Sequence, residues 1–211
     1  TWRVGEESSR IHLADDNALT ITADGLAMLE ILDRLPLDRF TYSVEVRIND
    51  KTGRAGLYVG HQVLDQPRGP VHFFIAWSFR EFMLGSNPPA GRREVVFWRR
   101  GSLTDGSTET SPLQVMNLVD QFPINPEEEA ARKWRRLTVI AEPESFEFRW
   151  DDEPFRHIDR RLSQQRINDL SSMARSPRPL PIDFARPCGI GIYVHHGSAS
   201  FQNATLTPRS E

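Results

Sequence analysis

Cysteine is nearly absent from this sequence, since Cys188 is the only cysteine among 211 residues. A single cysteine excludes an intramolecular disulfide and a zinc site built from cysteine ligands. Cys188 directly precedes an apolar segment, where a lone cysteine is more often a small buried side chain than a nucleophile. We therefore expect no disulfide framework and no catalytic cysteine, and the cysteine content neither supports nor excludes secretion.

Long apolar runs and a large excess of one charge are missing as well. No segment approaches the roughly 20 apolar residues of a membrane-spanning helix, so no membrane span is predicted. The formal net charge is -3, with 38% hydrophobic and 26% charged residues, which is typical of a globular protein without the basic field that favours nucleic acid. Adjacent arginines are expected at solvated strand or helix edges: Arg92-Arg93, Arg99-Arg100, Arg135-Arg136 and Arg160-Arg161.

Sequence signatures of several enzyme classes do not occur either. The sequence contains no G-x-x-x-x-G-K-[ST], G-x-S-x-G or H-E-x-x-H motif, so phosphate-loop, serine-hydrolase and zincin functions have no support. No signal peptide is visible, but the chain begins with Thr1 rather than Met, and Trp2 already fits a strand. We therefore predict a fragment or processed product of a longer protein, whose remainder would be a partner. The location stays open, and it would be extracytoplasmic if the parent chain carries a targeting or membrane segment.

Strand patterning is what the sequence contains in quantity. Apolar residues in the segment 40–48 alternate with polar ones: Phe40, Tyr42, Val44, Val46 and Ile48. The almost continuously apolar segment 71–79 predicts a central strand covered on both faces. Further short strands are predicted at 2–4, 11–13, 19–21, 26–32, 54–60, 93–100, 113–119, 134–141 and 146–150. Their links are too short for parallel crossovers, which favours an antiparallel sandwich.

The C-terminal segment 189–208 predicts two strands joined by a tight turn. Ile190, Ile192 and Val194 alternate with smaller or polar residues, as in a half-buried strand. The segment 196–198 supplies the turn, in which Gly197 is free to adopt a positive φ. A further irregularity is predicted at Gln202-Asn203, where the alternation of apolar and polar residues breaks. Because a closing strand must pair with strands made much earlier, we predict a single domain over residues 1–211.

Two segments depart from the strand pattern. Residues 125–132 predict a short helix that begins with Asn125 as its cap and Pro126 in its first turn. In the segment 161–175, apolar residues recur at helical spacing after a capping residue, Asp159. Residues 176–181 are proline-rich and predict an extended linker. We therefore interpret residues 159–181 as an inserted helix followed by a linker.

The C-terminal segment resembles the last hairpin of the concanavalin A-like lectin/glucanase superfamily, and most of all the bacterial 3-keto-disaccharide hydrolase-type domains. The matching residues are Gly189, Gly191, Gly197, Phe201, Asn203, Leu206 and Pro208. Earlier matches are Phe40, Arg47, Ala55-Gly56-Leu57 and the hairpin after Trp134, which has Asp152-Glu153 where the family usually has Asp-Gly or Asn-Gly. The resemblance implies an all-β, antiparallel two-sheet jelly-roll sandwich, here with one or two short inserted helices.

The catalytic signature of the superfamily's glucanases, E-x-D-x-x-E, is absent. The nearest substitutes are Glu45-Val46-Arg47 and the segment 147–151, and in both an arginine stands between or beside the acids. Such an arginine keeps carboxylates ionised, which suits a surface ladder of charges better than a general acid. No catalytic residue is therefore assigned.

Ligand-binding candidates are histidines, aromatic residues and their polar neighbours: His195, His196, Tyr58, His61, Trp98 and Arg99. His195 and His196 lie beside the glycines of the resemblance, but adjacent strand residues point to opposite faces and so do not share one ion. His12, His61 and His72 are distant in sequence and would have to converge. Trp98 and Tyr58 are the aromatic side chains that we expect to be exposed to a sugar ring, whereas Trp77, Trp134 and Trp150 are expected in the core.

Acidic turns offer oxygen atoms that calcium prefers, at Asp15-Asp16-Asn17, Asn49-Asp50 and 151–153. None has the spacing of a calcium loop, and turn chemistry accounts for these residues. We therefore predict no metal and no cofactor, with calcium as the alternative. The favoured function is a non-catalytic recognition module for a carbohydrate or another polymer. The alternatives are a glycoside-acting enzyme, of the keto-sugar type if the resemblance extends to activity, and a structural or protein-interaction domain without a small ligand.

Overall fold

The computed structural model describes residues 2–4, 9–14, 16–35, 39–50, 53–66, 69–81, 90–100, 113–123, 133–173 and 188–209. These residues form twelve strands and one helix. The strands are β1 (Trp2–Val4), β2 (Arg10–Leu13), β3 (Leu19–Leu35), β4 (Phe40–Ile48), β5 (Arg54–Gln66), β6 (Gly69–Arg80), β7 (Ala90–Arg100), β8 (Leu113–Pro123), β9 (Arg135–Glu142), β10 (Ser145–Trp150), β11 (Glu153–Asp159) and β12 (Cys188–Pro208), and the helix is α1 (Arg160–Met173). None of the described helical residues forms a segment long and apolar enough to cross a membrane.

The strands are hydrogen-bonded in the order β11-β10-β9-β4-β12-β5-β6-β7-β8, and β3 pairs with β1, β2 and β12. The N-terminal half of β12 pairs with β5, whereas its C-terminal half pairs with β4. We call β5–β8 with the first half of β12 the first sheet, and β4 and β9–β11 with the second half of β12 the second sheet. β3 follows β12 through both sheets. Every pairing is antiparallel, and the architecture is the all-β jelly-roll sandwich that the sequence predicts.

The core lies between the two sheets. Trp77 on β6 contacts Phe148 and Trp150 on β10, with ring centroids 6.2 and 6.1 Å apart, and its indole Nε1–H donates to the carbonyl of Arg149 at 2.9 Å. β4 is alternately buried and half-buried along its whole length, as its sequence predicts. Burial of such alternating apolar faces is the main force that holds two sheets together.

The C-terminal segment is one strand of 21 residues, so the predicted hairpin is wrong. His196 and Gly197 have φ angles of 53° and 143°, and the register of β12 against β3 shifts there. This is a β-bulge, which bends a strand without ending it. β3 is likewise one continuous strand, although the sequence predicts two short strands at 19–21 and 26–32. The second predicted irregularity is confirmed, because Asn203 has a φ of 51° at another register shift.

The bulge marks the place where β3 and β12 pass together from one sheet to the other, a common function of bulges in sandwiches. The ring Nδ1–H of His196 donates to the carbonyl oxygen of Asp24 across the two strands. On the other side, the Asp50 carboxylate accepts hydrogen bonds from the backbone N–H of Ser198 at 2.5 Å and of Gly53 at 2.8 Å. The side chains of His196 and Asp50 therefore act as hydrogen-bond partners for backbone groups that lose their ladder partners at the bend.

Helix α1 agrees with the predicted inserted helix. The Asp159 carboxylate accepts a hydrogen bond from the backbone N–H of Leu162 at 2.6 Å, which is the geometry of an N-cap. Leu170 is fully buried and joins the core between the sheets. The predicted helix at 125–132 and the linker at 176–181 lie outside the described residues.

A two-residue turn, Asp151-Asp152, joins β10 to β11, a strand that the sequence analysis does not identify. Both residues have positive φ, 48° and 69°, as in the type I′ turn that favours glycine at its second position. We predict that Asp152→Gly raises the free energy of unfolding by about 0.5 kcal/mol, because relief of the left-handed conformation exceeds the entropy that glycine adds to the unfolded chain. Urea denaturation measures the change.

The control for this prediction is Asp151→Gly, since the Asp151 carboxylate accepts a hydrogen bond from the backbone N–H of Arg136 at 2.8 Å. Loss of this hydrogen bond should lower the free energy of unfolding, although the strained backbone conformation is relieved in the same way. The Asp152 carboxylate, in contrast, forms an exposed ion pair with Arg136, and such pairs contribute little. Equal effects of the two substitutions would contradict this account of the turn.

Candidate functional site

The first sheet has two buried faces. One face packs against the second sheet, and we call the opposite face the outer face. Its buried side chains form a separate hydrophobic cluster, in which each residue is at most 2% exposed: Leu26, Met28, Tyr58, Phe74, Ala76, Val96, Trp98 and Tyr193. The prediction that the segment 71–79 is covered on both faces is confirmed. Polar and charged residues lie at both ends of this outer face, which makes it the candidate site.

Four rings form the centre of the outer face, and we call them the aromatic cluster: Tyr58, Phe74, Trp98 and Tyr193. Phe74 lies between Tyr58 and Trp98, with ring centroids 5.5 and 5.7 Å away, and Tyr193 lies 5.9 Å from Trp98. Gly191 leaves the space for the Tyr58 hydroxyl, because a Cβ at this glycine would lie 2.6 Å from that oxygen. The indole N–H of Trp98 is buried without a hydrogen-bond partner among the described residues.

One end of the outer face carries what we call the histidine chain, formed by Glu30, His61 and His72. The Glu30 carboxylate accepts a hydrogen bond from His61 Nδ1–H, and both side chains are 2% exposed. His61 Nε2 lies 3.0 Å from His72 Nδ1, with the two rings parallel. Because Nδ1–H of His61 is directed to the carboxylate, its Nε2 is the acceptor for Nδ1–H of His72 when both rings are neutral. The chain thus leads from a buried carboxylate to the half-buried ring of His72.

His61 reaches this position through a β-bulge in β5. Gly60 has a φ of 72°, and the register of β5 against β6 shifts between Val59 and Gln62. The bulge brings His61 to the outer face, where Gly189 on β12 lies against it: a Cβ at Gly189 would be 3.1 Å from His61 Nδ1. Gly189, a glycine of the C-terminal strand, therefore leaves the space that the histidine chain needs.

The other end of the outer face carries an arginine cluster, formed by Arg54, Arg80 and Arg92 around Glu94. Glu94 is 1% exposed, and its two carboxylate oxygens each lie 2.8 Å from Nε of an arginine, Arg54 or Arg92. Arg80 is opposite Arg92 in the β6–β7 register. Burial, and then repulsion by Arg92 and Arg54, lower the pKa of Arg80, which Glu94 only partly offsets. The cluster therefore carries more positive than negative charge.

The predicted ligand-binding residues do not all lie together. Tyr58, His61, Trp98 and His195 share the outer face, where the half-buried ring of His195 is 5.2 Å from that of Trp98 and opposite Arg54 in register. Arg99, which is 5% exposed, is opposite Phe73 and so belongs to the other face of β7. His196 is exposed at the bulge rather than on the outer face.

The predicted exposure of Tyr58 and Trp98 is wrong, because both are fully buried. Both rings pack against Phe74 on β6, and Trp98 also packs against Tyr193 on β12. The sequence pattern does not single out Glu30 and Glu94 as site residues, and it indicates His72 only as one of several dispersed histidines. The available signal is one ionisable residue inside an otherwise apolar segment, as at Glu30 within 26–32 and His72 within 71–77.

The carboxylates of the second sheet form the surface ladder that the sequence predicts. Arg136 Nη2 donates to Glu45 Oε1 at 2.9 Å, and this bond holds the pKa of Glu45 below its usual value. Glu147 similarly accepts from Arg149 Nε at 2.7 Å.

The carboxylates of the acidic turns already pair with neighbouring protein groups. Asp16 pairs with Arg47 at 3.0 Å, and Asp50 and Asp151 accept backbone hydrogen bonds. In the part of the chain that the structure describes, no three His, Cys, Asp or Glu residues are grouped so as to hold a metal ion.

Comparisons with known proteins support the fold. No protein-family model matches the chain, and no curated protein matches it. Among solved structures, the chain is similar to the carbohydrate binding module CBM66 from Bacillus subtilis, with a TM-score of 0.52, 14% identity and coverage of 94% of this chain and 91% of that one. It is also similar to a Bacillus subtilis protein of unknown function with a galectin-like fold, with a TM-score of 0.54, 11% identity and coverage of 99% and 90%. The sandwich is therefore galectin-like, in agreement with a concanavalin A-like fold.

Proposed function

We propose that this chain is a carbohydrate-recognition module that binds a saccharide at the outer face of the first sheet and catalyses no reaction. The observation that carries the proposal is the outer face itself, where a histidine chain and an arginine cluster flank four aromatic rings. The similar solved structure named as a carbohydrate binding module supports the same function. The absence of the E-x-D-x-x-E signature from the sequence favours recognition over hydrolysis.

The chemistry of the outer face suits sugar hydroxyls, which both donate and accept hydrogen bonds. Half-buried groups at the two ends offer donors and acceptors: His72 and His195 as imidazoles, and Arg54 and Arg92 as guanidinium donors. The aromatic cluster is buried and packs beneath these groups. The indole N–H of Trp98 has no hydrogen-bond partner among the described residues, and leaving it unsatisfied costs about 1–3 kcal/mol.

The test is a glycan array probed with the full chain, followed by calorimetric titration of the best glycan. We predict that His195→Ala weakens binding about five- to tenfold, the effect of one lost hydrogen bond. His157→Ala is the control, because His157 is exposed on β11 of the second sheet. An array without any bound glycan would overturn the proposal, as would equal affinities of the two variants.

A second candidate is a glycoside-acting enzyme, the activity that the resemblance to 3-keto-disaccharide hydrolase-type domains suggests. The histidine chain favours it, because a buried carboxylate that orients one imidazole, which orients a second, is an arrangement suited to a general base. His72 would be the residue that takes the proton. Chromatography of a bound glycan after prolonged incubation distinguishes the candidates: cleavage that His72→Gln abolishes supports the enzyme, whereas an intact glycan supports recognition alone.

A further inference from the structure

The arginine cluster contains more charge than its internal ion pairs neutralise. Three guanidinium groups surround a single carboxylate, Glu94, whose two oxygens are already directed to Arg54 and Arg92. Arg80 has no ion-pair partner among the described residues, and its buried Nε lacks a hydrogen-bond partner there. Counted over these four side chains, the cluster has a net charge of two positive units, at one end of a face whose centre is apolar.

The described contacts place neutral groups beside the arginine cluster. The hydroxyls of Ser78 and Tyr193 lie beside it, and Arg54, Ser78 and Glu94 all act on the phenol of Tyr193. Burial raises the pKa of Tyr193, so this phenol remains neutral. On β8, the residue opposite Arg92 is the neutral side chain Gln121. The described groups next to the cluster are thus neutral donors, which can bind an anion together with the guanidinium groups.

A purely structural ion-pair network would look different. Buried charges are stabilised only when they are paired and hydrogen-bonded, and a surplus of like charges raises the cost of burial. One guanidinium would neutralise Glu94, and Arg54 and Arg92 already lie beside both of its oxygens. The third, Arg80, is repelled by its neighbours and is partly exposed, so it is available to a ligand.

We propose that the arginine cluster is a subsite for an oxyanion carried by the saccharide, so that the ligand is an acidic sugar with a carboxylate or sulfate group. The planar guanidinium fork matches both groups through paired N–H···O bonds. This inference rests on the proposed carbohydrate recognition and makes it more specific. Arg80 would bind the anion directly, while Glu94 holds Arg54 and Arg92 in position beside it.

The experiment titrates the full chain with D-glucuronate, D-glucose 6-sulfate and D-glucose. At least one anionic probe should bind about tenfold more tightly than glucose, since hydrogen bonds between two charged groups are stronger than neutral ones. Its affinity should fall as salt is added. The probe that binds more tightly shows whether the subsite prefers a carboxylate or a sulfate. Equal affinity for glucose and both anionic probes would overturn the inference.

Variants separate the subsite from the rest of the face. Arg80→Gln should bring the affinity for the anionic probe down to that for glucose, whereas Arg80→Lys should keep most of the difference. Arg161→Gln is the control, because Arg161 is exposed on α1. Thermal unfolding confirms that each variant is folded. An Arg80→Gln variant that binds the anion as well as the unmodified chain would overturn the inference.

The glycan array distinguishes the two levels of the proposal. Neutral glycans as the only bound class would overturn the acidic-sugar inference and leave carbohydrate recognition intact. No bound glycan at all would overturn both. Binding confined to uronic-acid or sulfated glycans, lost in Arg80→Gln and kept in Arg161→Gln, would support both.

Discussion

Replacement of Gly56 by alanine is expected to lower the free energy of unfolding by about 3 kcal/mol, the upper end of the cost of overpacking. Gly56 is the third residue of β5 and pairs with β6 on one side and with β12 on the other. A Cβ at this position would lie 2.7 Å from the Cα of Ser78 and closer still to the carbonyl oxygen of Trp77. These are backbone atoms of the hydrogen-bonded neighbour, so no side-chain rotation relieves the clash.

The matched control for Gly56→Ala is Ala55→Gly, a change of one carbon atom at the neighbouring buried position. It removes a methyl group from the core and adds backbone freedom, which together cost about 1 kcal/mol. Urea denaturation of both variants measures the difference. If Gly56→Ala were as stable as Ala55→Gly, the close approach of β5 and β6 at this position would be refuted.

His61→Leu is expected to cost about 3–5 kcal/mol, because it leaves the Glu30 carboxylate buried without its imidazole partner. Both side chains of this pair are 2% exposed. Glu30→Leu should cost less, since an imidazole left without its partner costs less to bury than an unpaired carboxylate. Free energies of unfolding for the two single variants, measured at the same pH, test this order.

The double variant Glu30→Leu/His61→Leu should lose clearly less stability than the sum of the two single losses. An apolar pair of similar size tolerates burial, whereas one orphaned partner does not. Arg149→Leu is the comparison, because its ion pair with Glu147 is about one-third exposed on both sides and should be worth less than about 1 kcal/mol. Additive losses in the double variant would mean that Glu30 and His61 are not coupled.

Much of the sandwich is predictable from local sequence because most of its described strands bury at least one face. The alternation of β4 and the double burial of β6 follow directly from their residue patterns. The error at β12 has a specific physical cause. A bulge and a tight turn share the same local signature, a glycine at positive φ beside polar residues, and only the partner strand distinguishes them. That partner, β3, is about 170 residues away in sequence.

The candidate site is harder to predict, because its groups come from different strands. Alternation correctly places Tyr58 and Trp98 away from the core between the sheets, but the exposure of a face depends on what covers it. His61 reaches its position through the bulge at Gly60, which changes the face that simple alternation assigns. The pairing of Glu94 with Arg54 joins β7 to β5 across β6, and no sequence spacing encodes such a contact.

The position of β12 also bears on how the chain reaches its native state. This strand is the last in sequence but lies at the centre of the strand order, between β4 and β5 and along β3. Until it emerges during synthesis, three earlier strands retain open edges, which are templates for aggregation. Contacts of such high sequence separation also slow folding to the millisecond-to-second range. Chaperones that shield nascent strands are therefore expected to matter more for the yield of this protein than for its final stability.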